Sequence, residues 1–228
     1  MNTLQDPQFG DKMVTLMAAL VLVLQIAMVA QRWIVTNIRI FAAQSFLLAA
    51  IAGTIAYFND APHIYAAAVL TLLAKGILVP IALERLVARI EIRQEIEPIL
   101  NMPLSIVISG GLTLVGYVLA EPFYRPEEAP GASTLGHNAL AVAISLFLIG
   151  FFMMINRRKA LTQVLGLLCL ENGILLAALS LTYGMPLIVE IGIFFDVLVA
   201  ALLLAILIFR IRETFDSMDV SRLSRLKG

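Results

Sequence analysis

The chain has 228 residues, 61% of them hydrophobic and 14% charged, whereas soluble domains run near half apolar and about a quarter charged. That composition excludes a water-soluble fold. Sixteen basic and sixteen acidic side chains cancel, so no global field draws in nucleic acid or an acidic substrate. A single cysteine, Cys169, excludes an intrachain disulfide and a cysteine cluster for zinc or iron–sulfur.

The polar start, Met1 to Lys12 with Asp6 and Asp11, lacks the basic region and cleavage site of a signal peptide, so the first apolar run is expected to stay as an anchor. A helix crossing ~30 Å of hydrocarbon needs ~20 mostly apolar residues. Seven runs meet that requirement: 13–31, 38–58, 64–86, 104–121, 138–156, 160–182 and 186–210. The predicted fold is therefore all-α, a polytopic transmembrane helix bundle of about seven helices.

Charge alternates between the connections. Arg32 and Arg39 follow the first run, Arg85, Arg89 and Arg93 the third, Arg157, Arg158 and Lys159 the fifth, and Arg210, Arg212, Arg222, Arg225 and Lys227 the last. The intervening connections hold Asp60 and His63, then Glu121, Arg125, Glu127 and Glu128, then no charge between Ser180 and Met185. The positive-inside rule puts the N-terminus outside and the C-terminus in the cytoplasm, as an odd helix count requires. The stretch Glu121–His137, with Pro122, Pro126, Pro130 and Gly131, reads as an irregular outer loop. It divides the chain into a four-helix part (1–121), the loop (122–137), a three-helix part (138–212) and a cytoplasmic tail (213–228).

Three ionisable residues fall near the middle of their runs: Lys75 in the third, Glu171 in the sixth and Asp196 in the seventh. Each is ~15 Å from the run's ends at the helical rise. An ionisable group at the bilayer centre costs ~2.5–3.5 kcal/mol on insertion scales, so it must face a bundle interior, a partner or water. Pairing of Lys75 with Glu171 or Asp196 could simply lock helices together. Alternatively, a carboxyl group in poorly hydrated surroundings holds its proton more readily and a nearby ammonium opposes this, so small movements change protonation. Two acids and a lysine at one depth then form a lateral row along which a proton moves.

Glu190, about one turn into the seventh run, is a candidate exit or partner contact, and Glu84, beside Arg85, reads as interfacial. Pro80 and Asn172-Gly173 predict irregular backbone near the buried charges, which is tolerated only where it is buried or lines water. Gly110-Gly111 and Gly116 predict close helix packing. No phosphate-binding loop, Ser/His/Asp set or metal-spaced His/Cys cluster is present, and His63 and His137 fall at loop edges. The chain is expected to bind no cofactor or metal and to have no active site of its own.

Arg157-Arg158-Lys159 followed by Gly166-Leu-Leu-Cys-Leu-Glu171-Asn-Gly-Ile-Leu-Leu resembles the K subunit of respiratory complex I, with its basic pair and mid-membrane glutamate. Phe195-Asp196-Val-Leu-Val-Ala-Ala-Leu-Leu-Leu, ending at Arg210, resembles that family's next helix, with Asp in place of its second Glu. The K subunit has three helices, so it accounts only for the C-terminal part. The overall length, the Cys169-to-Leu176 segment and the Met185-to-Ala200 segment resemble the membrane E subunit of hydrogenase-4, in the formate hydrogenlyase and energy-converting hydrogenase group.

That resemblance implies a non-catalytic subunit of a redox complex in a prokaryotic inner membrane. Its partners there would be antiporter-like and quinone-site-type membrane subunits and lipid, with peripheral [NiFe] and iron–sulfur subunits in indirect contact. It gives Glu171 and Asp196 the roles of the two K-type acids in a proton path, to which burial adds Lys75 and position adds Glu190. The alternatives are a C-type subunit of a multi-subunit cation/proton antiporter, and a scaffold whose charges are silent.

Overall fold

A computed structural model describes residues 7–58, 61–89, 98–123, 135–158 and 160–181. The elements in chain order are α1 (Pro7–Ala30), α2 (Ile34–Phe58), α3 (Pro62–Thr71), a π-helical segment (Leu72–Leu78), α4 (Val79–Arg89), α5 (Met102–Ala120), a single 3-10 turn (Glu121–Phe123), α6 (Leu135–Asn156) and α7 (Ala160–Leu181). Six stretches are long and apolar enough to cross a membrane, and α3, the π-helical segment and α4 join to make one of them. They coincide with the first six predicted runs; the seventh, 186–210, lies outside the described residues.

Helix ends overrun the apolar runs where local chemistry permits. Helix α1 starts at Pro7, six residues before its run, because proline's fixed φ and missing donor are harmless in a first turn. It ends where the Gln31 side-chain oxygen accepts hydrogen bonds from the Arg32 and Trp33 backbone N–H groups, at 2.9 and 3.4 Å. Helix α6 starts at Leu135, three residues inside the expected outer loop.

The helices of the N-terminal and C-terminal parts interleave in one bundle. Helices α6 and α7 form the most extensive pairing, α1 packs against α2, α5 and α6, and α2 reaches α3, α4 and α7. Lipid is as apolar as leucine, so such packing depends on close approach rather than on escape from water. Glycines supply it between α6 and α7. A Cβ at Gly150 would lie 2.6 Å from the Leu170 nitrogen, and one at Gly173 2.7 Å from the Phe147 nitrogen.

The apolar interior is split in two. One half joins Val14, Ala18 and Val21 of α1 to Leu48 of α2, Leu146 of α6 and Leu175 of α7. The other joins Met28, Ile38, Phe41, Leu83, Met153 and Leu165. On α1, α2 and α7 the two halves are about two turns apart, between Val21 and Met28, Phe41 and Leu48, and Cys169 and Leu175, and buried polar side chains fall in each of these gaps.

Candidate functional site

The gap between the apolar halves holds Gln25 of α1, Gln44 and Ser45 of α2, Lys75 of the π-helical segment, and Glu171 and Asn172 of α7, all buried. Counted from Ile34 and Ala160, Gln44 and Asn172 stand roughly 15–18 Å along their helices, close to the middle of a ~30 Å span. These helices therefore carry a polar layer at mid-depth.

Lys75 and Glu171 meet in this layer. Lys75 Nζ is 3.5 Å from Glu171 Oε2, with the two side chains 3% and 1% exposed. Charge-assisted hydrogen bonds run ~2.7–2.9 Å, so this is a loose electrostatic contact rather than a tight bond. The π-helical turn places the lysine. Pro80 offers no N–H and its ring crowds the preceding turn, and a membrane helix absorbs such a residue by local π adjustment. Here the Val79 N–H donates to the Ala74 carbonyl, five residues back. The irregular backbone expected at Pro80 is therefore present, over Leu72–Leu78.

Asn172-Gly173 is different. Helix α7 runs unbroken from Ala160 to Leu181, and Gly173 serves close packing against α6 rather than a break. The glycine expectation for α5 is also corrected in part. A Cβ at Gly116 would collide with Ser145, but Gly110 and Gly111 face open space.

A chain of amides adjoins the ion pair. Asn172 Nδ2 donates to Gln44 Oε1 (3.2 Å), Gln44 Nε2 donates to Gln25 Oε1 (2.8 Å) and to the Val21 carbonyl (3.3 Å), and Gln25 Nε2 donates to Met153 Sδ (3.4 Å). Sequence reasoning missed Gln25 and Gln44 as site residues and read Asn172 only as a helix breaker. The available signal was an uncharged amide in the middle of an apolar run, which in a membrane needs a partner on another helix. Cys169 lies nearby, buried, with Sγ 3.6 Å from Met28 Sδ. Among the described residues, no three His, Cys, Asp or Glu side chains converge as metal ligands.

At the end of the bundle where α1 finishes and α2 begins, Arg39 Nε lies 3.2 Å from Glu84 Oε1, both exposed, as the interfacial reading of Glu84 expects. Arg157 at the same end is buried. Its Nη2 donates to the Val29 and Met28 carbonyls at 3.1 and 3.4 Å, capping α1. Burial pushes its guanidinium down to about 10. Asp196 and Glu190 lie outside the described residues.

No protein-family model matches the chain, and no solved structure matches it. It is 34% identical over 191 residues to the uncharacterized protein Rv0085 of Mycobacterium tuberculosis, covering 83% of this chain and 84% of that protein. It is 28% identical over 220 residues to hydrogenase-4 component E of Escherichia coli K12, covering 96% of this chain and 99% of the relative. The Shigella flexneri component E matches to the same extent.

Proposed function

Because the chain belongs to the hydrogenase-4 component E family, we propose that it is a membrane subunit of a hydrogenase complex in which the Lys75–Glu171 pair carries a step of a proton path. The observation that carries this reading is the 3.5 Å separation of two buried, oppositely charged side chains at mid-depth. A buried ion pair is a poor device for stability alone, since a well-packed apolar pair of similar volume often holds helices as well or better. A loose contact, by contrast, lets the proton affinity of the carboxyl group respond to small displacements of the ammonium.

In this reading the subunit contributes no redox centre. It receives a proton at Glu171 when the contact with Lys75 opens, and it passes the proton on when the contact closes. Asp196 is the next acid of the path and Glu190 its outlet or partner contact. The end bearing Arg39, Arg85 and Arg157 faces the cytoplasm of a prokaryotic cell by the positive-inside rule. Antiporter-like and quinone-site-type subunits are the neighbours, in a complex of the formate hydrogenlyase type. The match across 99% of component E favours this assignment over a shorter K-like antiporter subunit.

The test is electron-transfer-driven proton movement in vesicles containing the whole complex. Glu171→Gln is expected to lower proton movement at least about tenfold, equivalent to about 1.4 kcal/mol in the limiting barrier, while assembly and hydrogen turnover with an artificial electron carrier persist. Wild-type proton movement in an assembled Glu171→Gln complex would overturn the proposal in favour of a scaffold.

A further inference from the structure

Gln44 is the one amide of the polar layer joined to both of the others. Its oxygen accepts from Asn172 on α7 and its nitrogen donates to Gln25 on α1, with a second donation to the Val21 carbonyl. All three amides are fully buried, where a polar group without a partner is costly, so each bond fixes its helix in depth and in rotation.

Asn172 is the residue directly after Glu171, and on a helix its direction is locked to that of Glu171 about 100° away. Holding Asn172 against α2 therefore sets the direction in which Glu171 meets Lys75. The lysine is on a segment that itself packs against α2, so Gln44's helix is the common reference for both members of the pair. At 3.5 Å, slight rotation of α7 is enough to tighten or part the contact.

We propose that Gln44 is a positioning residue for the Lys75–Glu171 pair, acting through Asn172 to set the separation of the two charges and with it the proton affinity of Glu171. This rests on the proton-path role proposed for the pair. Gln44 touches neither charged group through any bond described above; it acts by fixing the helix that carries one of them.

The experiment is a pH titration of the purified whole complex in lipid vesicles by infrared difference spectroscopy. The protonated carboxyl band of Glu171 is assigned by its loss in Glu171→Gln. Gln44→Met keeps the volume and removes the bonds. It is expected to move the midpoint of that band in the same direction as Lys75→Met, by about one pH unit, a tenfold change in proton affinity. In the double variant Lys75→Met/Gln44→Met the midpoint is expected to equal that of Lys75→Met alone, because a residue acting through the pair has nothing left to position. Gln25→Met, which removes only the far end of the chain, is expected to shift the midpoint in the same direction by less.

An unmoved midpoint in assembled Gln44→Met, or a shift fully additive with Lys75→Met, overturns the positioning role. If Gln44→Met does not assemble, an unmoved midpoint in Gln25→Met overturns it as well. Intact proton movement in Glu171→Gln overturns the proton-path role and this inference with it. Loss of proton movement in Glu171→Gln beside an unmoved midpoint in Gln44→Met overturns the inference alone.

Discussion

Helices α5 and α7 have similar lengths and hydropathy, yet they do opposite work. In its most apolar window α5 is 17% buried and α7 67%. Helix α5 returns its hydroxyls to its own backbone, Ser109 to the Ser105 carbonyl at 2.8 Å and Thr113 to the Ser109 carbonyl at 2.9 Å. Helix α7 sends Glu171 and Asn172 across to other helices. Polar groups that close on their own helix suit a peripheral helix, whereas polar groups that need another helix define the interior.

The largest test of that contrast is charge removal. Lys75→Met leaves the Glu171 carboxylate without its ammonium, and breaking a buried pair in this way costs about 3–5 kcal/mol. A marked fall in the thermal midpoint of the detergent-solubilised protein is the expected result. Glycine enlargement gives the next effect. Gly173→Leu must push α6 from α7, at about 1–3 kcal/mol or more, whereas Gly110→Leu on the open face of α5 stays within about 0.5 kcal/mol. Equal losses in the same melting assay would erase the distinction between the two helices.

Arg157→Met probes the bundle end. It removes two hydrogen bonds from a charged donor to the α1 carbonyls, each worth about 1.5–3 kcal/mol before the relief of desolvation is counted, so the net loss is expected to be smaller than that of Lys75→Met. Burial holds its guanidinium in the folded state at about 10, below its ordinary value. The group is charged in both states through neutrality, so the difference between wild type and variant is expected to be flat from about pH 5 to 9. Above that window the folded chain loses the proton first, and the desolvation penalty is relieved as pH rises.

Much of this was legible from composition and position. Six apolar runs became helices because a membrane tolerates little else, and Lys75 and Glu171 stood out because charge at mid-depth is expensive. Gln25 and Gln44 did not, since an amide changes hydropathy little and its value depends on which helix it faces. Arg157 read as one of three basic residues in a connection, but the fold turns it inward onto α1 while Arg158 remains exposed. Gly110 and Gly166 look alike in sequence, and only the arrangement of neighbouring helices tells an open face from a contact. Asp196 and Glu190 rest on sequence position alone.

The separations along the chain also have a temporal meaning. Gln25 and Gln44 are only 19 residues apart, so the first helical hairpin can satisfy these amides as soon as it enters the bilayer. Gln44 is 128 residues from Asn172, and Val29 is 128 residues from Arg157. At roughly 5–20 residues per second of synthesis, the nascent hairpin waits about 6–25 s for either contact. The amide pair thus shelters its own polarity during biogenesis, and the arriving α7 needs to join a preassembled bond rather than rescue two exposed ones.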